Sequence, residues 1–156
     1  STVVMRGDVR PEVTVVVGVP SSVEGSGVVT RVLAVVGSEV AEGAVVVEVS
    51  GRPVFVLLGT VPVFRSMSPG MSGGDIGQLQ SALARLGFTP DANGKFGRAT
   101  SGAVKAFYAA AGYPATDSVA FGEVVFVPSF PARVQAAVPY AKAARLEYAS
   151  GWRTEQ

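Results

Sequence analysis

The chain contains neither cysteine nor histidine in its 156 residues, and that prunes its chemistry first. Thiol nucleophiles, disulfides, zinc sites built from His or Cys, and the Ser-His-Asp triad all need side chains it does not carry. What remains for acid–base work is a pair of carboxylates, the arrangement a glycosidase uses. Asp75, Asp91, Asp117 and Glu123 are the candidates. None has a special sequence context, and most are explained as helix caps or turn residues, so we read the chain as non-catalytic. No cofactor and no metal are expected. Net charge is +1, and Lys95, Lys105 and Lys142 lie far apart. Phosphate backbones are held by clustered basic faces, so nucleic acid is not an expected partner.

The elements that would position any site lie between Pro69 and Gly112, where the helical patterns are. Asp75 and Gln78 have the spacing of a capping box, in which a carboxylate and an amide satisfy the unpaired N–H groups of a first turn. Ile76, Leu79, Leu83 and Leu86 then repeat at helical spacing, and Gly87 supplies a left-handed stop. Pro90 and Asn93-Gly94 read as a turn. Thr100 is placed to cap a second helix with Ala103, Val104, Phe107 and Ala111 on its buried face, closed by Gly112.

This stretch resembles the peptidoglycan-binding domain family, a small helical module found beside many bacterial cell-wall enzymes. The resemblance rests on Gly74-Asp75-Ile76, Leu79-Gln80, Leu83, Leu86-Gly87-Phe88, Asn93-Gly94, Phe96-Gly97, Thr100, Ala103-Val104-Lys105 and Phe107. Asn93 stands where the family usually has aspartate, and Tyr108 where it usually has glutamine. A third helix belongs to the family, but Val119–Val127 reads as strand. The resemblance implies binding of peptidoglycan or its fragments. The amidases and cysteine-dependent transpeptidases that often carry such a module are excluded here by the missing Cys and His. Expected contact residues are Asp91, Asn93, Arg98, Tyr108 and Tyr113. Asp91, Arg98 and Tyr113 flank the turn and the helix ends, Asn93 forms the turn, and Tyr108, among Ala109, Ala110 and Ala111, offers a shallow platform of the kind sugars stack on.

The remainder reads as β-strand. Glu12–Val19 turns into a valine run suited to a strand buried on both faces. In residues 27–49, Gly27, Val29, Val32, Val35, Gly37, Val40, Gly43 and Val46 resemble half of a biotinyl/lipoyl-like hammerhead. A carrier domain needs a lysine for its amide-linked arm, and no lysine precedes Lys95, so neither biotin nor lipoate is expected. The half-motif is similar instead to that of HlyD-like membrane fusion proteins (efflux adaptors), which split the hammerhead around an insertion. Arg52–Phe64 reads as two strands turning at Gly59-Thr60. Its apolar run is too short and too interrupted to cross a membrane. Gly122–Pro128 and Ala132–Val138 read as returning strands, and Tyr140–Ala149 has helical propensity.

The expected fold is α+β: a β-rich, hammerhead- or barrel-like scaffold with an inserted helical module. Residues 1–67 would form the first part of the scaffold, 68–117 the module, 118–139 the returning strands, and 140–156 a C-terminal helix or tail. Replacing the module by a short linker would then leave a folded β protein. The expected function is a non-catalytic envelope protein outside the cytoplasm, binding peptidoglycan and partnered with a membrane (ABC-type) transporter, with any signal sequence or anchor outside this chain. The alternatives are an interaction module that has lost wall binding, or an accessory targeting domain of a cell-wall enzyme.

Overall fold

The computed structural model describes residues 13–14, 28–35, 37–133, 138–139 and 144–145. In chain order the elements are β1 (Val13–Thr14), β2 (Val29–Val32), β3 (Glu39–Val40), β4 (Val45–Val49), β5 (Arg52–Leu58), α1 (Gly74–Arg85), α2 (Arg98–Ala110), β6 (Val124–Val127), β7 (Ala132–Arg133), β8 (Val138–Pro139) and β9 (Ala144–Arg145). β5 is the central strand. It is apolar at every position after Arg52 because both of its faces are covered.

β5 lies in a four-stranded sheet of order β2-β4-β5-β6. β4 and β5 are antiparallel and joined by Ser50-Gly51, both at positive φ (50° and 75°), a two-residue turn whose twist suits a hairpin. β6 pairs with β5 in parallel, Phe55 opposite Val124 and Leu58 opposite Val127. Parallel neighbours require a crossover, and here the crossover is the whole helical stretch.

Alternation along β5 divides the core in two. Phe55 and Leu57, with Val124 and Phe126 of β6, pack under the helices against Ile76, Leu79, Leu83, Val104 and Phe107. Val54 and Val56 face the other way, into a cluster with Val46, Val47 and Val127. Val40 and Ala132 complete that cluster from the smaller sheet of order β1-β7-β3. Val46 and Val47 share a side because a register shift between Val45 and Val47 interrupts the alternation.

Both helices stop where the sequence indicates. Gly87 (φ 96°) and Gly112 (φ 88°) hold the left-handed position. Phe88 N–H then donates to the Leu83 carbonyl and Tyr113 N–H to that of Tyr108, each at 3.0 Å, closing both ends in the same way. The starts differ from expectation. Gly73 precedes α1 without a side-chain cap, and Asp75 lies inside the first turn. Asp75 is 3% exposed and takes two bonds from Arg65, at 2.8 and 2.9 Å. Gln78, the other half of the expected capping box, instead clasps Val61, accepting its N–H at 3.0 Å and donating to its carbonyl at 2.8 Å. Gly97 precedes α2, and Thr100 is buried in the first turn rather than capping it.

Other expectations need correction. Arg52–Phe64 is one strand ending at Leu58, because the Gln78 clasp takes the polar groups of Val61 out of any ladder. No helix follows α2 among the described residues; within Val119–Val127, Val119 makes an isolated bridge to Met67 and strand is confined to β6. The four-stranded sheet is open, with β2 and β6 as its edges among the described residues, so the barrel- or hammerhead-like closure is not seen. The parallel β5–β6 pair sends the chain out through the helices rather than round to β2. In the stretch expected to be a C-terminal helix, Ala144–Arg145 pairs with β8, which commits its backbone to a ladder. The rest of that stretch, residues 134–137 and most of Glu12–Val19 lie outside the described residues.

Candidate functional site

A polar knot fixes the segment between the helices. Thr100 is fully buried; its hydroxyl donates to Asp91 Oδ2 at 2.9 Å and accepts from Gln80 Nε2 at 3.0 Å. Asp91 Oδ2 also accepts the backbone N–H groups of Gly97 (3.1 Å) and Thr100 (2.9 Å). These are donors that a helix start leaves unpaired, so Asp91 caps α2 from outside it. The Thr100 N–H, and after it the Thr100 hydroxyl, hold the Asp91 carboxyl below the usual aspartate range. Gln80, 2% exposed, donates to the Lys95 carbonyl and accepts Gly94 N–H, each at 2.8 Å. Asn93 Oδ1 accepts Lys95 N–H at 3.0 Å and so shapes the turn.

Beside the knot is an open cleft of ≈ 370 Å³ between α1 and the segment leading to the turn. Gly77, Ser81 and Ala84 form one wall and Pro90, Asp91 and Ala92 the other, with Gln80 at the base. The cleft's volume falls within the range of ligand-binding clefts, and its walls are mostly small residues. Asp91, the titratable side chain in its lining, is bonded to the start of α2.

Tyr108 and Tyr113 lie at the other end of α2 and face the sheet. Tyr108 is wholly buried, and its hydroxyl donates to Glu123 Oε1 at 2.9 Å. Arg52 holds the same carboxylate at 3.1 and 3.3 Å, and its guanidinium lies 5.3 Å from the centre of the Tyr108 ring. Burial, with the Glu123 charge adding to it, pushes the Tyr108 phenol up. The Tyr113 hydroxyl donates to Glu48 Oε2 at 2.9 Å, and Arg31 pairs with that oxygen at 3.6 Å. Two Tyr–Glu–Arg chains therefore tie the end of α2 to the sheet.

The expected contact residues thus divide. Asp91 lines the cleft, Asn93 shapes the adjoining turn, and Arg98 is exposed at the first position of α2. The sugar platform expected at Tyr108 does not form, because the ring packs edge-on against Phe55 at 5.2 Å and has no exposed face. Tyr113 joins the sheet instead of the turn. Sequence reading missed Gln80, although its signal was present. Ile76, Leu79, Gln80 and Leu83 follow one helical stripe, and a polar residue within such a stripe must be bonded internally.

Residues 72–118 match the family model described as "Putative peptidoglycan binding domain". The match takes in both helices and the cleft and leaves the four-stranded sheet outside it. No curated protein and no solved structure matches the chain. No described helix is long and apolar enough to cross a membrane.

Proposed function

We propose that the chain attaches to peptidoglycan through the cleft of its helical module and catalyses no reaction there. The supporting observation is that the family match over residues 72–118 contains this cleft whole. Attachment to the wall places the protein in the cell envelope, outside the cytoplasm. Sedimentation with purified sacculi tests the reading. Wild-type protein should pellet with the sacculi. Ser81→Trp or Ala84→Phe, at exposed positions on the cleft wall, should reduce pelleting without lowering thermal stability. Equal pelleting of wild type and both variants would remove the cleft from the mechanism.

For the sheet we propose a scaffold role, as an adaptor subunit of a membrane transport system would use it to present the module. Its support is the glycine–valine spacing of residues 27–49, with Gly37 and Gly43 at positive φ in the turns. Crosslinking in cells to a transporter subunit is the test, and crosslinks to cell-wall material alone would oppose it. A second reading has its own observation: Asp91, Asn93 and Tyr108 are occupied by internal bonds. A module kept for its fold alone, serving protein–protein contact, would show that pattern and would leave sacculi unbound.

A further inference from the structure

Asn93 is the single asparagine of the chain, and glycine follows it. That pair has a chemistry of its own. The backbone nitrogen after an asparagine can attack the side-chain carbonyl carbon, and glycine, lacking a side chain, obstructs the approach least. The N–Cγ bond forms, the Cγ–Nδ2 bond breaks, and ammonia leaves carrying the proton of the backbone N–H. Water then opens the succinimide ring. Attack at Cγ gives aspartate, whereas attack at the backbone carbonyl gives isoaspartate, whose chain runs on through Cβ and Cγ.

In this fold both reacting groups are occupied. Asn93 is exposed to water, yet its Oδ1 accepts Lys95 N–H at 3.0 Å, which holds the carboxamide toward the Lys95 backbone. Gly94 N–H donates to Gln80 Oε1 at 2.8 Å. That bond retains the proton the reaction must remove and fixes the plane of the attacking peptide. Gln80 is itself immobile: it is 2% exposed, and its Nε2 is bonded to the Lys95 carbonyl at 2.8 Å and the Thr100 hydroxyl at 3.0 Å. The Gly94 carbonyl in turn accepts Gly73 N–H at 3.0 Å.

We infer that Asn93 is a site of spontaneous deamidation gated by Gln80: the Gln80–Gly94 bond holds the reaction off in the closed turn, and opening the turn releases it. The inference stands whether or not the cleft binds the wall. The two products differ in consequence. Aspartate keeps an oxygen to accept Lys95 N–H, so the turn survives. Isoaspartate lengthens the backbone just before Gly94, whose N–H and carbonyl are both tethered, so the turn no longer closes.

The test incubates wild type, Gln80→Met, Val54→Ala and a free peptide of residues 90–97 in mildly alkaline buffer. Mass spectrometry follows conversion at residue 93, an isoaspartate-specific methyltransferase assay reads the second product, and hydrogen exchange is measured at the Gly94 amide. Wild type should convert about ten-fold or more slowly than the peptide, and Gln80→Met should recover about ten-fold of that difference, as befits one lost buried hydrogen bond. Val54→Ala, altered in the core cluster on the other face of the sheet, should convert like wild type. Asn93→Asp should show no conversion. Wild type converting at the peptide rate would overturn the gate. So would a folded Gln80→Met that converts no faster than wild type, or a Val54→Ala accelerated as much as Gln80→Met, which would make general loosening the cause. If Gln80→Met does not fold, the Gly94 amide of wild type decides: slow exchange supports the gate, and exchange at the rate of the free peptide overturns it.

Discussion

Asp91 shows how far a helix cap can stand from its helix. Asp75 and Thr100 each sit at a local start signal that reads as a cap. The group that satisfies the first turn of α2 is a carboxylate arriving from the preceding loop, and no local spacing rule encodes that approach. Asp91→Asn keeps the size and loses the charge, so the variant should unfold at lower urea concentration at neutral pH. The folded-state pKa of Asp91 lies below its ordinary value of 3.8. The carboxylate therefore contributes its full stabilisation above that value and loses it as pH falls through the lower folded value. The difference between wild type and Asp91→Asn should close in acid, read by circular dichroism across a pH series. A difference that persists in acid would show that charge is not what the cap uses. The burial of Tyr108 is hidden in the sequence for a related reason. Val104 and Phe107 form the buried stripe and the sheet beneath adds Tyr108 to it, whereas Ala111, expected on the same face, is exposed at the end of α2.

At the scale of elements, what was legible in the sequence was what the backbone alone decides. Gly87 and Gly112 stop both helices because a left-handed residue is needed there. The extent of β5 was less legible, since the apolar run continues to Phe64 while the strand ends at Leu58. Gly59 marks the break. A side chain there would run into the Gln78 amide that clasps Val61, so Gly59→Ala should loosen the connection into the module. β5 itself is where the two halves of the fold meet. Phe55 has no exposed surface, lies 4.2 Å from the Phe107 ring centre, and touches Tyr108 and Tyr113 edge-on. Phe55→Ala should cost about 3–5 kcal/mol, from lost transfer energy and the cavity left behind. Equilibrium urea unfolding measures this, and a loss below about 1 kcal/mol would mean that the site collapses freely.

For the whole molecule, the alternation of β5 matters more than any motif. The pairing of strands before and after the helices is legible from shared valine chemistry for β5–β6, whereas β7, Ala132–Arg133, pairs with β3 without it. The separability of the module was not legible, because a hydrophobic stripe does not name what it packs on. Phe55, Leu57, Val124 and Phe126 form the floor on which the helices rest. Replacing residues 68–117 by a short linker should therefore give a protein that aggregates or binds a hydrophobic dye, not the folded β protein expected from the strands alone. A monomeric, cooperatively unfolding product would refute the shared floor.

The crossover between β5 and β6 also separates structural integrity from covalent continuity. The chain leaves the sheet from one strand and returns in its bonded neighbour, so a single cut in either connection removes no element from the fold. A protease site placed at exposed Pro114-Ala115 should yield two bands on a denaturing gel and one particle in native size exclusion, held by β6 on β5 and by Val124 and Phe126 in the core. Fragments that part on cleavage would show that the bond, rather than the packing, keeps them together. If they stay together, wall attachment survives a nick that would release a module tethered by a single linker.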